Sequence, residues 1–203
     1  RFLHRAACPS GRNMYLFGGQ SELGELDDLW VLDKRAALSL QDEGRNGRMW
    51  RKLEPADPSA ERPECRQSGT LTAVLNGTQL LMFGGRHGPT TFMNDTWLFD
   101  VASQTWTCVF ESEDTAAAMA GTSDPTRPSP RWAHTSVAMR DGVYVFGGSA
   151  PGKCYNDLYY YDVRAAAWRR VAVEGRSPRG RSGHCARVVD NPAMFVFGGT
   201  PTQ

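Results

Sequence analysis

Short apolar stretches separated by turn-forming residues recur along the whole chain. Segments such as "TSVAMR", "GVYVFGG", "DLYYYDV" and "WRRVAV" are rich in β-branched and aromatic residues, and Gly, Asp, Asn or Pro bound them. The runs "LLMF" and "VYVF" are continuously apolar, which is typical of strands buried on both faces. No stretch shows an amphipathic helical pattern of convincing length, so the pattern predicts an all-β protein built from many short strands.

These stretches belong to a repeated order of motifs. A Phe-Gly-Gly ends one apolar run in each copy, and its glycine pairs are Gly18 and Gly19, Gly84 and Gly85, Gly147 and Gly148, and Gly198 and Gly199. An Asp-x-aromatic motif follows at Asp28, Asp95 and Asp157, and another Asp comes three residues after each aromatic residue. A lone Trp closes each of these copies, at Trp50, Trp106 and Trp168. The chain therefore contains about three and a half copies of one unit.

An Arg-x-x-His motif marks the start of three copies. It occurs as Arg1 to His4, as Arg131 with His134 and as Arg181 with His184, whereas the second copy has Gly69 in place of His. Groups that recur with the unit are expected to be framework hydrogen-bonding groups rather than catalytic ones. The recurring Asp residues are expected to cap turns through side-chain to backbone bonds.

The ordered set of motifs resembles the kelch repeat over nearly the whole chain. A kelch unit is about 50 residues long and forms one four-stranded propeller blade. The resemblance implies blades over about 1–54, 66–110 and 131–173 and an incomplete blade over 181–203, all within a single kelch β-propeller. Since propellers close with about 4 to 8 blades, we expect these 203 residues to be part of a longer propeller.

Two insertions interrupt the repeat, at residues 34–49 and 111–130. The second is rich in Ala, Thr, Ser and Pro, which favours a flexible loop. The resemblance implies that residues 111–130 and the loops after the Gly-Gly pairs share one face, while residues 34–49 lie on the other. Variable loops on a rigid scaffold usually carry recognition, so the predicted partner-binding residues are Arg86, His87, Phe92, Lys153 and Tyr155.

Charge and cysteine content limit the functional classes. The net charge of +1 gives no global nucleic-acid or membrane signal. Residues 163–187 contain seven Arg and one Glu, which indicates a solvated face or, alternatively, a surface for an acidic partner. Five cysteines without a CxxC pair favour a reducing compartment and hence a cytoplasmic location, with nuclear and extracellular locations left open. The sequons at Asn76 and Asn94 keep the extracellular alternative.

The sequence therefore predicts a non-catalytic scaffold for protein–protein interaction, in an adaptor or recruitment role, without a cofactor or metal. Some kelch-like propellers are copper radical oxidases or iron-using specifier proteins, so a metal-dependent enzyme is the main alternative. His4, His134 and His184 occupy equivalent positions in separate repeats, and a ring of these three residues that binds metal is the least favoured version of this alternative. The chain lacks the Glu-x-x-x-Asp-x-x-x-His motif of specifier proteins, and we find no phosphate loop, nucleophile elbow or HExxH. An extracellular structural module is the third alternative.

Overall fold

The computed structural model describes residues 1–9, 13–33, 50–121, 124–189 and 193–201. Within them, short antiparallel strands form three four-stranded sheets and a fourth, smaller group. The first sheet belongs to the first repeat, whose strands are β1 (Arg5–Ala7), β2 (Asn13–Phe17), β3 (Gln20–Ser21), β4 (Gly24–Glu25), β5 (Leu29–Asp33) and β6 (Trp50–Leu53). The order across this sheet is β1-β2-β5-β6, and β3 and β4 form a separate hairpin after Gly19.

The second repeat has longer strands. They are β7 (Thr70–Val74), β8 (Gln79–His87), β9 (Thr91–Asp100) and β10 (Thr105–Phe110). In this repeat β8 continues through the Gly-Gly pair and stays paired with β9, with a register shift between Phe83 and Gly85. A short α-helix, α1 (Thr115–Met119), follows β10. The interpretation of residues 111–130 as a flexible loop missed this helix, which begins where Asp114 accepts a hydrogen bond from the amide of Ala117.

The third repeat has the same arrangement of strands as the first. Its strands are β11 (Thr135–Met139), β12 (Gly142–Phe146), β13 (Ser149–Ala150), β14 (Lys153–Cys154), β15 (Leu158–Asp162) and β16 (Ala167–Arg170), with the sheet order β11-β12-β15-β16. The fourth group consists of β17 (Arg181–Ser182), β18 (Cys185–Val189), β19 (Ala193–Phe197) and β20 (Thr200–Pro201). Strands β18 and β19 pair with each other, and β17 pairs with β20. The all-β prediction and the succession of four-stranded units are thus confirmed, as a partial propeller without a closed sheet.

Apolar side chains of neighbouring sheets pack together in two buried clusters. One buried cluster joins Phe17 and Val31 of the first repeat to Leu80 and Phe99 of the second. The next cluster joins Phe83 of the second repeat to residues such as Tyr161 of the third. The second sheet is therefore covered on both faces, and its strand β8 contains the continuously apolar run "LLMF".

The Gly-Gly pairs hold adjacent repeats at close range. Gly84 and Gly85 have φ values of +58° and +113°, in the left-handed region that favours glycine. A Cβ atom on Gly84 would lie 3.0 Å from the backbone oxygen of Arg131, in the next repeat, and the amide of Gly85 donates to that same oxygen. The first three pairs thus contact the following repeat, since the amides of Gly19, Gly85 and Gly148 donate to the backbone oxygen of its first Arg, namely Arg66, Arg131 and Arg181.

Candidate functional site

The recurring Arg residues are engaged in the framework. Arg66 and Arg131 are 3% and 0% exposed, and each forms a two-pronged hydrogen bond with the Asp-x-aromatic carboxylate of its own repeat, Asp95 and Asp157 respectively. Arg131 also donates to the carbonyl oxygen of Gly147. The hydrogen-bond donors of these guanidinium groups are therefore occupied by contacts that fix the Gly-Gly turn, and they are not available to a ligand.

The recurring Asp residues fall into two groups, and only one behaves as expected. Asp100 accepts hydrogen bonds from the amides of Ala102 and Ser103, which is the predicted turn cap. Asp95 instead accepts from Arg66 and from the indole of Trp97, so the turn-capping prediction was wrong for this group. The reason is tertiary, since the Arg that neutralises each carboxylate begins the same repeat from a distant part of the sequence.

The recurring His residues bridge neighbouring repeats. The Nε2 atom of His134 lies 3.1 Å from Oγ1 of Thr70, and Nε2 of His184 lies 2.8 Å from Oγ1 of Thr135. Burial, and then the charge of Arg131, lowers the pKa of His134 well below its ordinary value. Among the described residues, the group of possible metal ligands that lie together does not include His4, His134 or His184. The alternative of a histidine ring that binds metal therefore has no geometric support here.

The closing Trp residues do not share one environment. Trp106 packs against Phe17 of the preceding repeat with ring centroids 5.5 Å apart, and Trp168 packs against Phe83 at 4.9 Å. Trp168 also donates from its indole to Thr96. Trp50 differs from these two residues, since 36% of it is exposed. The expected insertion that precedes Trp50, residues 34–49, lies outside the described residues.

The hairpin tips after the Gly-Gly pairs meet on one side of the molecule. We call the surface formed by residues 20–25, 86–92, 111–116 and 149–154 the hairpin face. Both carboxylate oxygens of Glu25 accept from the amide of Gly88, which joins the first two hairpins. Pro151, in the third hairpin, lines the same cavity as the second hairpin and residues 111–116.

This cavity, which we call the hairpin cleft, has a volume of about 1040 Å³. Its apolar lining includes Phe92, Met93 and Trp97. Acidic residues line its sides, namely Glu64, Glu111, Glu113 and Asp114. The cleft thus combines an apolar floor with negatively charged walls.

Buried Asn94 fixes the wall formed by residues 111–116. Its side-chain amide donates to Glu113 and to the carbonyl oxygen of Pro128, and its side-chain oxygen accepts from the amide of Glu113. The hydroxyl of Thr115 donates to the carbonyl oxygen of Phe92 and accepts from its amide. These bonds hold α1 against β9, and they also bury the sequon asparagine, so a glycan does not fit on Asn94 in the folded chain.

The five predicted partner-binding residues do not form one group. Phe92 differs from the expectation, because it is 5% exposed beneath residues 111–116 and forms part of the cleft floor. Arg86 lies 4.4 Å from the ring of Trp132, and its guanidinium therefore stacks instead of projecting. Lys153 is exposed and lies 4.9 Å from the ring of Tyr155, which is half-buried against Arg131. His87 is exposed at the tip of β8 beside Cys65.

Sequence reasoning missed the acidic wall. Glu64 and Glu111 come from connections on either side of the second repeat, and only the fold brings them to one cavity. The run "ESED" at residues 111–114 was the available signal, since three acids occur there in four positions. Cys65, Cys108, Cys154 and Cys185 are free thiols. No helix among the described residues is both long enough and apolar enough to cross a membrane.

Comparison with known proteins gives the same picture. The family model of the KLHDC2/KLHL20/DRC7 Kelch-repeats domain matches residues 1–107 and 45–203. An adagio-like protein of Oryza sativa subsp. japonica is 30% identical over 98% of this chain and 30% of the relative. Kelch domain-containing protein 1 of Mus musculus is 27% identical over 95% of this chain and 47% of the relative, and host cell factor of Drosophila melanogaster is 28% identical over 93% and 13%.

The chain spans less than half the length of these relatives. The match nevertheless extends from the first repeat to the fourth, in agreement with the sheets and with the Arg, Gly-Gly and Trp positions described above. The chain belongs to the kelch-repeat family.

Proposed function

We propose that this chain is a non-catalytic protein-interaction scaffold that binds a protein partner in the hairpin cleft. The observation that carries the proposal is the cleft itself, an apolar floor with acidic walls, built from segments that differ between repeats and mounted on rigid sheets. Kelch-repeat relatives support protein binding as the coarse function. An adaptor or recruitment role and a cytoplasmic location are parts of this proposal.

The charge of the cleft favours a basic partner segment with an apolar anchor. Arg66 neutralises Asp95, and Arg127 lies 3.5 Å from Glu113. Glu64 and Glu111 are exposed and form no ion pair with any residue in the described ranges. Uncompensated charge on a binding surface is complemented by the opposite charge on the partner, which sets specificity and speeds association.

The framework role of the recurring polar groups supports a non-catalytic function. Enzymes need a base, acid or nucleophile with access to a substrate. Arg131 is fully buried against Asp157, and His134 is buried against Thr70, so neither reaches a ligand. The hairpin cleft contains carboxylates, but its apolar floor favours binding of a peptide side chain.

The test compares charge reversals on two faces. The protein and its Glu111→Lys and Asp141→Lys variants are used to capture partners from a lysate of source cells, with quantification by mass spectrometry. Asp141 is the matched control, since it is also an exposed acid but lies in the turn between β11 and β12, at the opposite end of those strands from the hairpin face. We expect one partner to be depleted by Glu111→Lys and retained by Asp141→Lys.

The captured partner is then truncated to a peptide, and its affinity for each variant is measured by calorimetry. A basic peptide that loses at least about tenfold in affinity with Glu111→Lys supports the cleft as the site. Equal binding to all three proteins contradicts it. Stoichiometric copper or iron in the purified protein, together with no specific partner, would favour the enzyme alternative.

A further inference from the structure

Three side chains with metal-binding atoms meet beside the hairpin cleft. Glu25 ends β4 in the first repeat, and His87 ends β8 in the second. Cys65 lies in the connection between these repeats. Their ligand atoms all lie within 4.8 Å of one another. No part of the partner-binding proposal uses this cluster.

The distances suit one tetrahedral ion. Nε2 of His87 lies 3.9 Å from Sγ of Cys65 and 3.7 Å from Oε2 of Glu25. With the bond lengths that zinc forms to sulfur, nitrogen and oxygen, tetrahedral geometry separates neighbouring ligand atoms by about 3.3 to 3.6 Å. Small side-chain adjustments therefore bring all three atoms to bonding distance. His87 and Cys65 are at the surface, where such adjustments are easy.

Glu25 is already held in position. Its carboxylate accepts from the amide of Gly88, at 3.0 and 2.9 Å, and from the side-chain amide of Gln67 at 2.7 Å. Outer hydrogen bonds of this kind orient metal ligands and strengthen binding. The side chain is only 10% exposed, and no Lys or Arg in the described part of the chain forms an ion pair with it.

The electrostatic surroundings favour a cation. The carboxylates of Glu25, Asp27 and Glu64 surround the Cys65 thiol with negative charge. The same negative charges attract a divalent ion, and a bound ion stabilises the thiolate in turn. A set of one sulfur, one nitrogen and one carboxylate oxygen matches the borderline-soft character of zinc better than that of magnesium or calcium.

We propose that Glu25, Cys65 and His87 form a Zn²⁺ site that clips the first two hairpins together, with its fourth position open to solvent. Zinc sites with three protein ligands hold water or another small ligand in the fourth position. The ion would link β4, β8 and the connection between repeats, at the edge of the hairpin cleft. This proposal does not depend on the proposed partner binding and is tested without a partner.

The experiment uses tag-free protein that is stripped with a chelator and then titrated with zinc sulfate by calorimetry. Cobalt serves as the spectroscopic probe, because a thiolate ligand gives a charge-transfer band. We expect one zinc per chain and a cobalt–thiolate band. Cys65→Ser is expected to abolish the band and to weaken zinc binding at least about tenfold. His87→Gln is expected to weaken binding similarly, and it serves as the second variant if Cys65→Ser fails to fold.

Cys154→Ser is the matched control. Cys154 is also a half-buried free thiol, and it ends β14, at the hairpin position that Glu25 occupies in β4. We expect this variant to keep wild-type zinc affinity and the cobalt band. Absence of stoichiometric zinc binding would overturn the proposal. A band that persists in Cys65→Ser, or that disappears in Cys154→Ser, would overturn it as well.

Discussion

Arg5 donates a hydrogen bond from its Nε atom to the backbone oxygen of Gly69, and the two atoms lie 2.5 Å apart. Arg5 begins β1, and Gly69 occupies the histidine position of the second repeat. The corresponding contacts at the next two interfaces are the Thr–His pairs Thr70 with His134 and Thr135 with His184. The first interface has thus exchanged both partners, and the long Arg side chain reaches the position that an imidazole fills elsewhere.

Replacing Gly69 by alanine is expected to destabilise the chain. A Cβ atom at this position would lie 2.5 Å from the backbone oxygen of Gly84 and 3.1 Å from that of Phe83. Backbone atoms in a paired strand cannot move aside cheaply, so we expect a loss of about 1–3 kcal/mol in the free energy of unfolding. Urea denaturation followed by circular dichroism measures this loss.

The same overlap predicts that a full exchange fails. An Arg5→Thr, Gly69→His double variant would recreate the residue pair of the other interfaces. The Cβ atom of the new histidine at position 69 would nevertheless meet the same Gly84 oxygen. We expect it to be no more stable than Arg5→Thr alone. Wild-type stability in the double variant would show that the first two repeats can adopt the spacing of the later ones.

Arg131→Lys is expected to be strongly destabilising despite the conserved charge. Lysine cannot reproduce the two-pronged contact with Asp157 or the additional bond to the oxygen of Gly147. Breaking a buried ion pair costs about 3–5 kcal/mol when one charge is left without its partner, and we expect lysine to recover part of this. The measurement is the urea midpoint at constant slope.

Arg164→Ala supplies the comparison for this prediction. Arg164 also faces an Asp, at 3.8 Å from Asp141, but both side chains are about three-quarters exposed. Exposed pairs contribute about 0–1 kcal/mol, so the midpoint should barely move. Equal effects at Arg131 and Arg164 would contradict the framework role assigned to the recurring Arg.

The buried histidine makes stability depend on pH. Because the pKa of His134 is lowered in the folded chain, the unfolded chain binds more protons once the pH falls below about 6.5. The histidine's contribution is fully present above that value and declines as the pH falls, by at most about 1.4 kcal/mol per pH unit. Urea denaturation from neutral to mildly acidic pH should show this decline.

The His134→Gln variant separates the contribution of this histidine to the pH dependence of stability from the contribution of the carboxylates. The variant is less stable at neutral pH, but its free energy of unfolding should decrease less steeply as the pH falls through this range. His184, whose pKa is also lowered by burial, still contributes in the variant. Parallel slopes for the two proteins would show that His134 titrates normally and is not sealed against Thr70.

The sequence predicts the fold where a residue's role depends on its own repeat. Phe-Gly-Gly, Asp and Arg recur through the first three repeats because each of these needs the same turn and the same ion pair, so their order suffices to predict the blades. Contacts that occur once leave no such record. Asn94 binds Pro128 and Glu113 across an insertion, and its amide bonds have no counterpart among the described residues of the other repeats.

The candidate sites depend on these unique contacts. Phe92 was predicted as a partner-binding residue because it lies in a loop that varies between repeats, but residues 111–116 cover it. Glu25, Cys65 and His87 come from three segments with no regular spacing, and only the pairing of adjacent hairpins places them together. His87 was predicted as a partner-binding residue, but the sequence did not indicate that Glu25 and Cys65 lie beside it.

The closing Trp residues should differ in their contribution to stability, although the repeat makes them equivalent. Trp168 is 7% exposed, packs against Phe83 and donates to Thr96, so Trp168→Ala is expected to cost about 3–5 kcal/mol. Trp50 is 36% exposed, and Trp50→Ala is expected to cost less than about 1 kcal/mol. Urea denaturation followed by far-ultraviolet circular dichroism avoids the change in fluorescence that either substitution causes.

Trp168→Phe is the intermediate case, since it keeps an aromatic ring against Phe83 and loses the bond to Thr96, for an expected loss of about 1–3 kcal/mol. Equal losses for Trp50→Ala and Trp168→Ala would mean that Trp50 is buried in solution.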